Sequence, residues 1–202
     1  TASLERNTAL ADMACKSAFQ YFATLAQQLN VLRPKSQHRY TLDKRHAFDG
    51  LERCAFRADA RRKPLRGAEV YDHVVLMWTL KSGQRLQLVK DFLPDIEKLE
   101  ARLRQSGANV QTEAVRNPAN NKLVEMRYAF DADFAASVRV TPDHDRGRVA
   151  FQIVNVDALE TVSVEFPAIE LGSARLDELA RWLVGEPNAF LKDGQNLRRI
   201  EP

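Results

Sequence analysis

LERCAFRADARRKPLRGAEVYDHVVLMWTL, Leu51 to Leu80, falls into two extended halves around a basic turn. Side chains alternate across a strand, so Cys54, Phe56, Ala58 and Ala60 share one face of the first half while Arg53, Arg57 and Asp59 share the other. The first set reads as core-facing and the second as outward. Arg61, Arg62, Lys63 and Pro64 are expected to end the pairing. Val70 to Leu80 is rich in β-branched and aromatic residues, and Ser82-Gly83 parts it from Leu86 to Val89, which predicts a hairpin of antiparallel neighbours.

Upstream, Leu10, Met13, Ala14, Ala18, Tyr21, Phe22, Leu25 and Leu29 recur at helical spacing, with Arg6, Lys16, Gln27 and Gln28 toward the other side. This predicts an amphipathic helix over about residues 4–30, which Pro34 prevents from continuing. Val31 to Gly50 reads as an irregular connection with one short strand at Arg39 to Leu42. Downstream, DFLPDIEKLEARLRQSG brings Ile96, Leu99 and Leu103 onto one face, places Asp95 and Glu97 in the first turn and stops at Gly107. Early acids and a terminal glycine suit a helix dipole and a left-handed cap. Asn109–Val115, Leu123–Phe130, Phe134–Thr141, Val149–Val156 and Thr161–Phe166 then alternate as short strands, separated by the turn-like NPANN, DAD, PDHDRG and VDALE. A third helix is predicted from Ala174 to Val184, with Leu176, Leu179, Ala180 and Leu183 facing the sheet. LKDGQNLRRIEP reads as a tail with at most one more helical turn.

These elements predict an α+β fold: a twisted antiparallel sheet of about seven or eight strands, curling toward a barrel, covered by an N-terminal, a middle and a C-terminal helix. Residues 1–202 are read as a single domain, with a division into two lobes near 107 as the alternative. The lack of long strand–helix–strand alternation argues against a parallel nucleotide-binding sheet. Trp78 and Trp182 have the neighbours of core residues. The apolar face of the N-terminal helix is long enough to cover the sheet, its expected use, or to pair with the same helix of a second chain in a homo-oligomer.

The composition, 45% hydrophobic and 28% charged, suits a chain that buries a sizeable core. Its longest apolar run, Val74 to Trp78, falls far short of the roughly 20 residues that cross a bilayer, so no membrane partner is expected. Cys15 and Cys54 lack the paired spacing of a metal or redox site and read as reduced packing residues. The opening TASLERNTALADMA has no cationic segment followed by an apolar one, and a cytoplasmic location is the expectation. The net charge of +3 conceals an asymmetry. Arg33 to Arg66 holds eleven Lys/Arg against Asp43, Asp49, Glu52 and Asp59, or +7, which leaves 19 cationic against 23 acidic residues elsewhere. Arginines outnumber lysines 21 to 9, a bias attributed more to codon usage than to anion recognition.

No two of His38, His46, His73 and His144 stand at the spacing that sets two imidazoles on one helical face, so no metal ligand is named. Asp143-His144-Asp145, followed by Arg146 and Gly147, reads as a solvated hairpin turn. Asp131 and Asp133 share one side of an extended segment but lack the apolar surroundings that raise a carboxyl pKa. Gly50 and Gly67 are isolated and precede no helix, so no phosphate-cradling loop or cofactor is expected. Cys54 with His73 is the one nucleophile–base pair that adjacent strands can bring together, although a core-facing thiol is disfavoured as thiolate.

The remaining signal is basic. Arg62-Lys63-Pro64-Leu65-Arg66 resembles, in its R-x-x-x-R spacing, the mouth of the cyclic-dinucleotide-binding PilZ barrels. That family also carries Asp/Asn-x-Ser-x-x-Gly on a following strand, and no such sequence occurs between Gly67 and Phe92. Arg53, Arg57, Arg61, Arg62, Lys63 and Arg66 nonetheless concentrate positive potential. The function expected is a non-enzymatic binding or assembly module whose basic surface contacts an acidic partner, either protein or nucleic acid. An enzyme using a pocket of sequence-distant residues such as Cys54 and His73 is the alternative. Only Tyr40, Phe48 and Phe56 accompany the charges, whereas single-strand binding prefers interleaved, exposed stacking platforms. A purely structural account pairs these arginines with Glu113, Glu125, Glu160 and Glu165 on other strands, or leaves them to guard a sheet edge.

Overall fold

Ala11, Ala14, Cys15, Ala18, Phe22, Ala26 and Leu29 form the buried stripe of the first helix, α1 (Ala2–Leu32), in the computed structural model, which describes residues 1–202. The Thr1 hydroxyl accepts from the Leu4 N–H at one end. Arg33, at φ 45°, turns the chain out at the other. The many alanines in the stripe bring the helix close against the sheet it covers.

A small hairpin follows, β1 (Tyr40–Thr41) with β2 (Ala47–Phe48), and then a seven-stranded sheet. Its strands are β3 (Glu52–Leu65), β4 (Ala68–Lys90), β5 (Val110–Arg116), β6 (Leu123–Asp143), β7 (Arg148–Val154), β8 (Thr161–Pro167) and β9 (Gln195–Ile200). Helix α2 (Leu93–Ser106) lies between β4 and β5, and α3 (Ser173–Leu183) between β8 and β9. Every pairing is antiparallel, in the order β3-β4-β6-β7-β8-β9, with β5 added to β6. The α+β class and the strand number agree with the sequence. The sheet does not close into a barrel: β3 and β9 stand at its two ends and do not pair with each other.

Three predicted breaks are absent, each for a physical reason. Arg61 to Pro64 do not end pairing: β3 runs on to Leu65, and Arg66 (φ 46°) with Gly67 (φ 78°) makes the two-residue turn. Pro64 is tolerated because β3 is an edge strand, where a missing N–H can face the free side. The predicted Ser82-Gly83 hairpin and the DAD break at Asp131 to Asp133 are one feature. They lie opposite each other in two continuous strands, with Lys81 paired to Asp133 and Arg85 to Asp131. Residues 82–84 bulge out there, the Ser82 N–H donating to Asp133 Oδ1 at 3.1 Å and Arg85 meeting Asp131 at 3.3 Å. The tail forms β9 rather than a helical turn.

β5 and the β7–β8–β9 group occupy the same edge of β6, with β5 on Leu123–Phe130 and β7 on Ser137–Asp143. The gap between them is filled by Gly107, where a Cβ would stand 2.7 Å from Ala135 Cβ, and by Asn155, whose amide donates to the carbonyls of Ala135 and Gln105. All three helices pack on one face of the sheet, in a single cluster of 41 buried apolar residues that includes Trp78 and Trp182. None of them is long and apolar enough to cross a membrane. The other face of the sheet carries no helix.

Candidate functional site

The arrangement of the basic stretch turns on one backbone irregularity. Ala55 sits at φ 55°, and the register jumps from Cys54–Thr79 to Arg57–Met77, so Ala55 and Phe56 together oppose Trp78. The bulge frees the Phe56 backbone from the ladder, and Asn30 of α1 takes up both groups. Its Oδ1 accepts from the Phe56 N–H at 2.6 Å and its Nδ2 donates to the Phe56 carbonyl at 2.9 Å. Phe56 then stacks on Trp78 in the core, at 5.3 Å between ring centroids.

The extra residue reverses the alternation upstream, which overturns the expected facing of Arg53 and Cys54. Arg53 points inward and is 1% exposed, and Cys54 is half-buried on the helix-free side. Arg53 Nη1 donates to the Lys35 carbonyl at 3.0 Å and to the Pro34 carbonyl at 3.4 Å, just beyond the end of α1. Its Nη2 lies near Gly185, just beyond the end of α3. The guanidinium has no carboxylate partner; two backbone carbonyls hold its Nη1, and its Nη2 is buried without a hydrogen bond. Burial, opposed in part by Tyr40, holds Arg53 below the usual arginine pKa. It serves as an internal clamp.

The remaining five members divide. Arg62 donates to the Glu69 carbonyl at 2.8 Å and lies 4.6 Å over the Tyr71 ring. Lys63 pairs with Asp72 at 3.7 Å, and Arg66 reaches Asp145 at 3.0 Å and Thr8 at 2.7 Å, tying the hairpin tip to α1. None of the six meets Glu113, Glu125, Glu160 or Glu165. Glu125 is taken by Arg127, Glu160 by Arg199, and Glu165 by Asn196. Arg57 and Arg61 are exposed on the helix-free face and form no ion pair.

The sheet register places other residues beside these two. One row across the strands runs Arg57, Met77, Ser137, Val154, Thr161, Ile200. The next runs Asp59, Val75, Arg139, Gln152, Ser163, Arg198. Arg61 pairs with His73 on β4, and Thr141, Ala150 and Glu165 form a further row across β6, β7 and β8. Arg139 and Arg198, from the acidic remainder of the chain, therefore share a surface with Arg57 and Arg61 and are likewise free of ion pairs. A concavity of about 340 Å³ lies between them, lined by Gln152, Ser163, Glu165 and Asn196. Alternation in β6, β7 and β8 already set Arg139, Gln152 and Ser163 opposite the apolar positions. That they share a face with Arg57 follows only from the strand order.

The other candidates do not converge. Cys54 lies opposite Thr79 and His73 opposite Arg61, six residues apart along β4 or about 20 Å. Burial, with the nearby Glu52 charge, pushes the Cys54 thiol up, and His73 Nδ1 is engaged by Asp72 at 2.8 Å. Asp131 and Asp133 fasten the bulge of β4 and line a cleft of about 500 Å³ with Thr79, Arg85 and Gln111. His144, expected in a solvated turn, is 5% exposed, with Nε2 at 2.8 Å from the Tyr71 carbonyl. No three His, Cys, Asp or Glu side chains gather as metal ligands. The helix-free positions of all seven strands, from Arg57 and His73 onward, include no aromatic residue. No family model matches the chain, and neither a curated protein nor a solved structure does.

Proposed function

We propose that the chain is a non-enzymatic binding module whose helix-free sheet face docks an acidic protein segment. The observation that carries this reading is the set of four exposed arginines, Arg57, Arg61, Arg139 and Arg198, that share one face, form no ion pair and outnumber the Asp59 and Glu165 carboxylates in the same rows. Unpaired guanidinium groups grouped on one surface raise the local potential and attract an anionic partner. Between them lie Val75, Met77 and Val154, half-buried apolar side chains that give a docked peptide something to cover. The lack of aromatic side chains favours protein over single-stranded nucleic acid, whose bases stack on such groups.

The test is fluorescence anisotropy of the purified chain with a labelled oligoglutamate and with single-stranded DNA at about 50 mM salt, where electrostatic contacts are strong. Oligoglutamate is expected to bind, to weaken as salt rises, and to be lost when all four arginines are changed to Gln. Tighter binding of DNA transfers the face to nucleic acid. Failure of both probes overturns the reading.

A further inference from the structure

Within the helix-free face, four consecutive strands contribute one polar side chain each to a single row: Arg139 of β6, Gln152 of β7, Ser163 of β8 and Arg198 of β9. Each is the direct cross-strand neighbour of the next. None makes a hydrogen bond to another residue, whereas the charged groups around them are engaged: Arg148 by Gln195, Glu165 by Asn196 and Arg199 by Glu160. All four line the concavity or its rim, and the one carboxylate there, Glu165, already accepts from Asn196 Nδ2.

We infer that this row is a phosphoryl-binding site, and that the acidic partner presents a phosphorylated side chain to it. The inference rests on the reading of the helix-free face given above. Three strand spacings separate Arg139 from Arg198, about 14 Å between backbones, so two long side chains close from either end on a group held over Gln152 and Ser163. The donor count selects the ligand. Two guanidinium forks, a hydroxyl and a carboxamide offer more N–H and O–H groups than the roughly four lone-pair sites of a carboxylate can accept. A phosphoryl group brings three acceptor oxygens and about −1.5 to −2 charge, and matches both the donors and the two positive ends. Gln152 and Ser163 are uncharged, so the row costs no repulsion between fixed charges at its centre. Arg57 and Arg61, two strands away from Arg139 on β3, lie outside the concavity.

The experiment compares two labelled peptides of one sequence, carrying phosphoserine or glutamate at the same position, against the purified chain. The phosphopeptide is expected to bind about tenfold tighter, and Arg139→Gln or Arg198→Gln to remove about that factor, as loss of a charge-assisted hydrogen-bond pair does. Arg57→Gln is expected to weaken both peptides alike. Inorganic phosphate, titrated without any variant, is expected to displace the phosphopeptide and to shift the backbone amide resonances of Gln152 and Ser163. Equal affinity for the two peptides, or phosphate competition unaffected by Arg139→Gln, overturns the phosphoryl site. If oligoglutamate still binds in that case, only this inference falls; if neither peptide nor oligoglutamate binds, the whole reading of the face falls with it. Displacement by inorganic phosphate with no preference between the peptides assigns the site to a free phosphate rather than a protein-borne one and overturns the inference as stated.

Discussion

The two faces of the sheet alternate residue by residue yet have opposite fates. On one, Val138, Val140, Phe151, Ile153, Val164 and Phe166 are at most 1% exposed beneath the helices. On the other, Ser137, Arg139, Gln152 and Ser163 sit one position away along the same strands, with no helix over them. Side chains of a strand alternate with a period of two, so a slip of one residue exchanges the faces. The bulge at Ala55 makes that exchange locally, which is why Arg53 lies among core groups while Arg57 does not. The bulge thus sets the opposite roles of Arg53 and Arg57, four residues apart in one basic run.

The largest expected effect falls on the covered face. Phe166→Ala removes a fully buried ring that meets Phe151 at 5.7 Å and Phe190 at 5.2 Å, and is expected to cost about 3–5 kcal/mol in urea unfolding. A cost near zero would break the contrast between the faces. Asn30→Ala acts on the device that separates them. It strips the Phe56 N–H and carbonyl of their partners, and a loss of about 1–3 kcal/mol is expected in the same assay. An unchanged midpoint would mean that the bulge persists without α1 holding it. The smallest effect belongs to the helix-free face: Arg57→Gln with Arg61→Gln is expected to move stability by no more than about 0.5 kcal/mol while weakening oligoglutamate binding. A loss as large as that of Phe166→Ala would make these arginines structural and count against the binding reading.

Much of the architecture was legible in the residues. The helical spacing of Ala14, Ala18, Phe22 and Leu29, the cap at Gly107 and the alternation of β7 and β8 each report a local preference that the fold keeps. Ser82-Gly83 and Asp131–Asp133 misled for a specific reason. Their turn chemistry is real, but each is matched by the other across the ladder, so it bends two long strands rather than ending them. β9 gave little signal, since QNLRRI is exposed throughout and gains its strand form only by adding to β8. Of the six basic residues singled out, Arg57 and Arg61 remain on the candidate face; Arg53, Arg62, Lys63 and Arg66 are occupied within the fold.

Local periodicity, capping and charge were the sequence's own to determine, because each depends on residues within a turn or two of one another. From these came the helices, most strands, the α+β class and the excess of positive charge between Arg33 and Arg66. Tertiary structure alone decided which arginines stand together. Arg139 and Arg198 join Arg57 and Arg61 through pairings between strands distant in sequence, and Arg53 leaves that group because a side chain of α1 stabilises one extra residue in β3. The physical reason is range: a ladder register and a bulge are fixed by contacts across the sheet, and no window of the chain contains both partners.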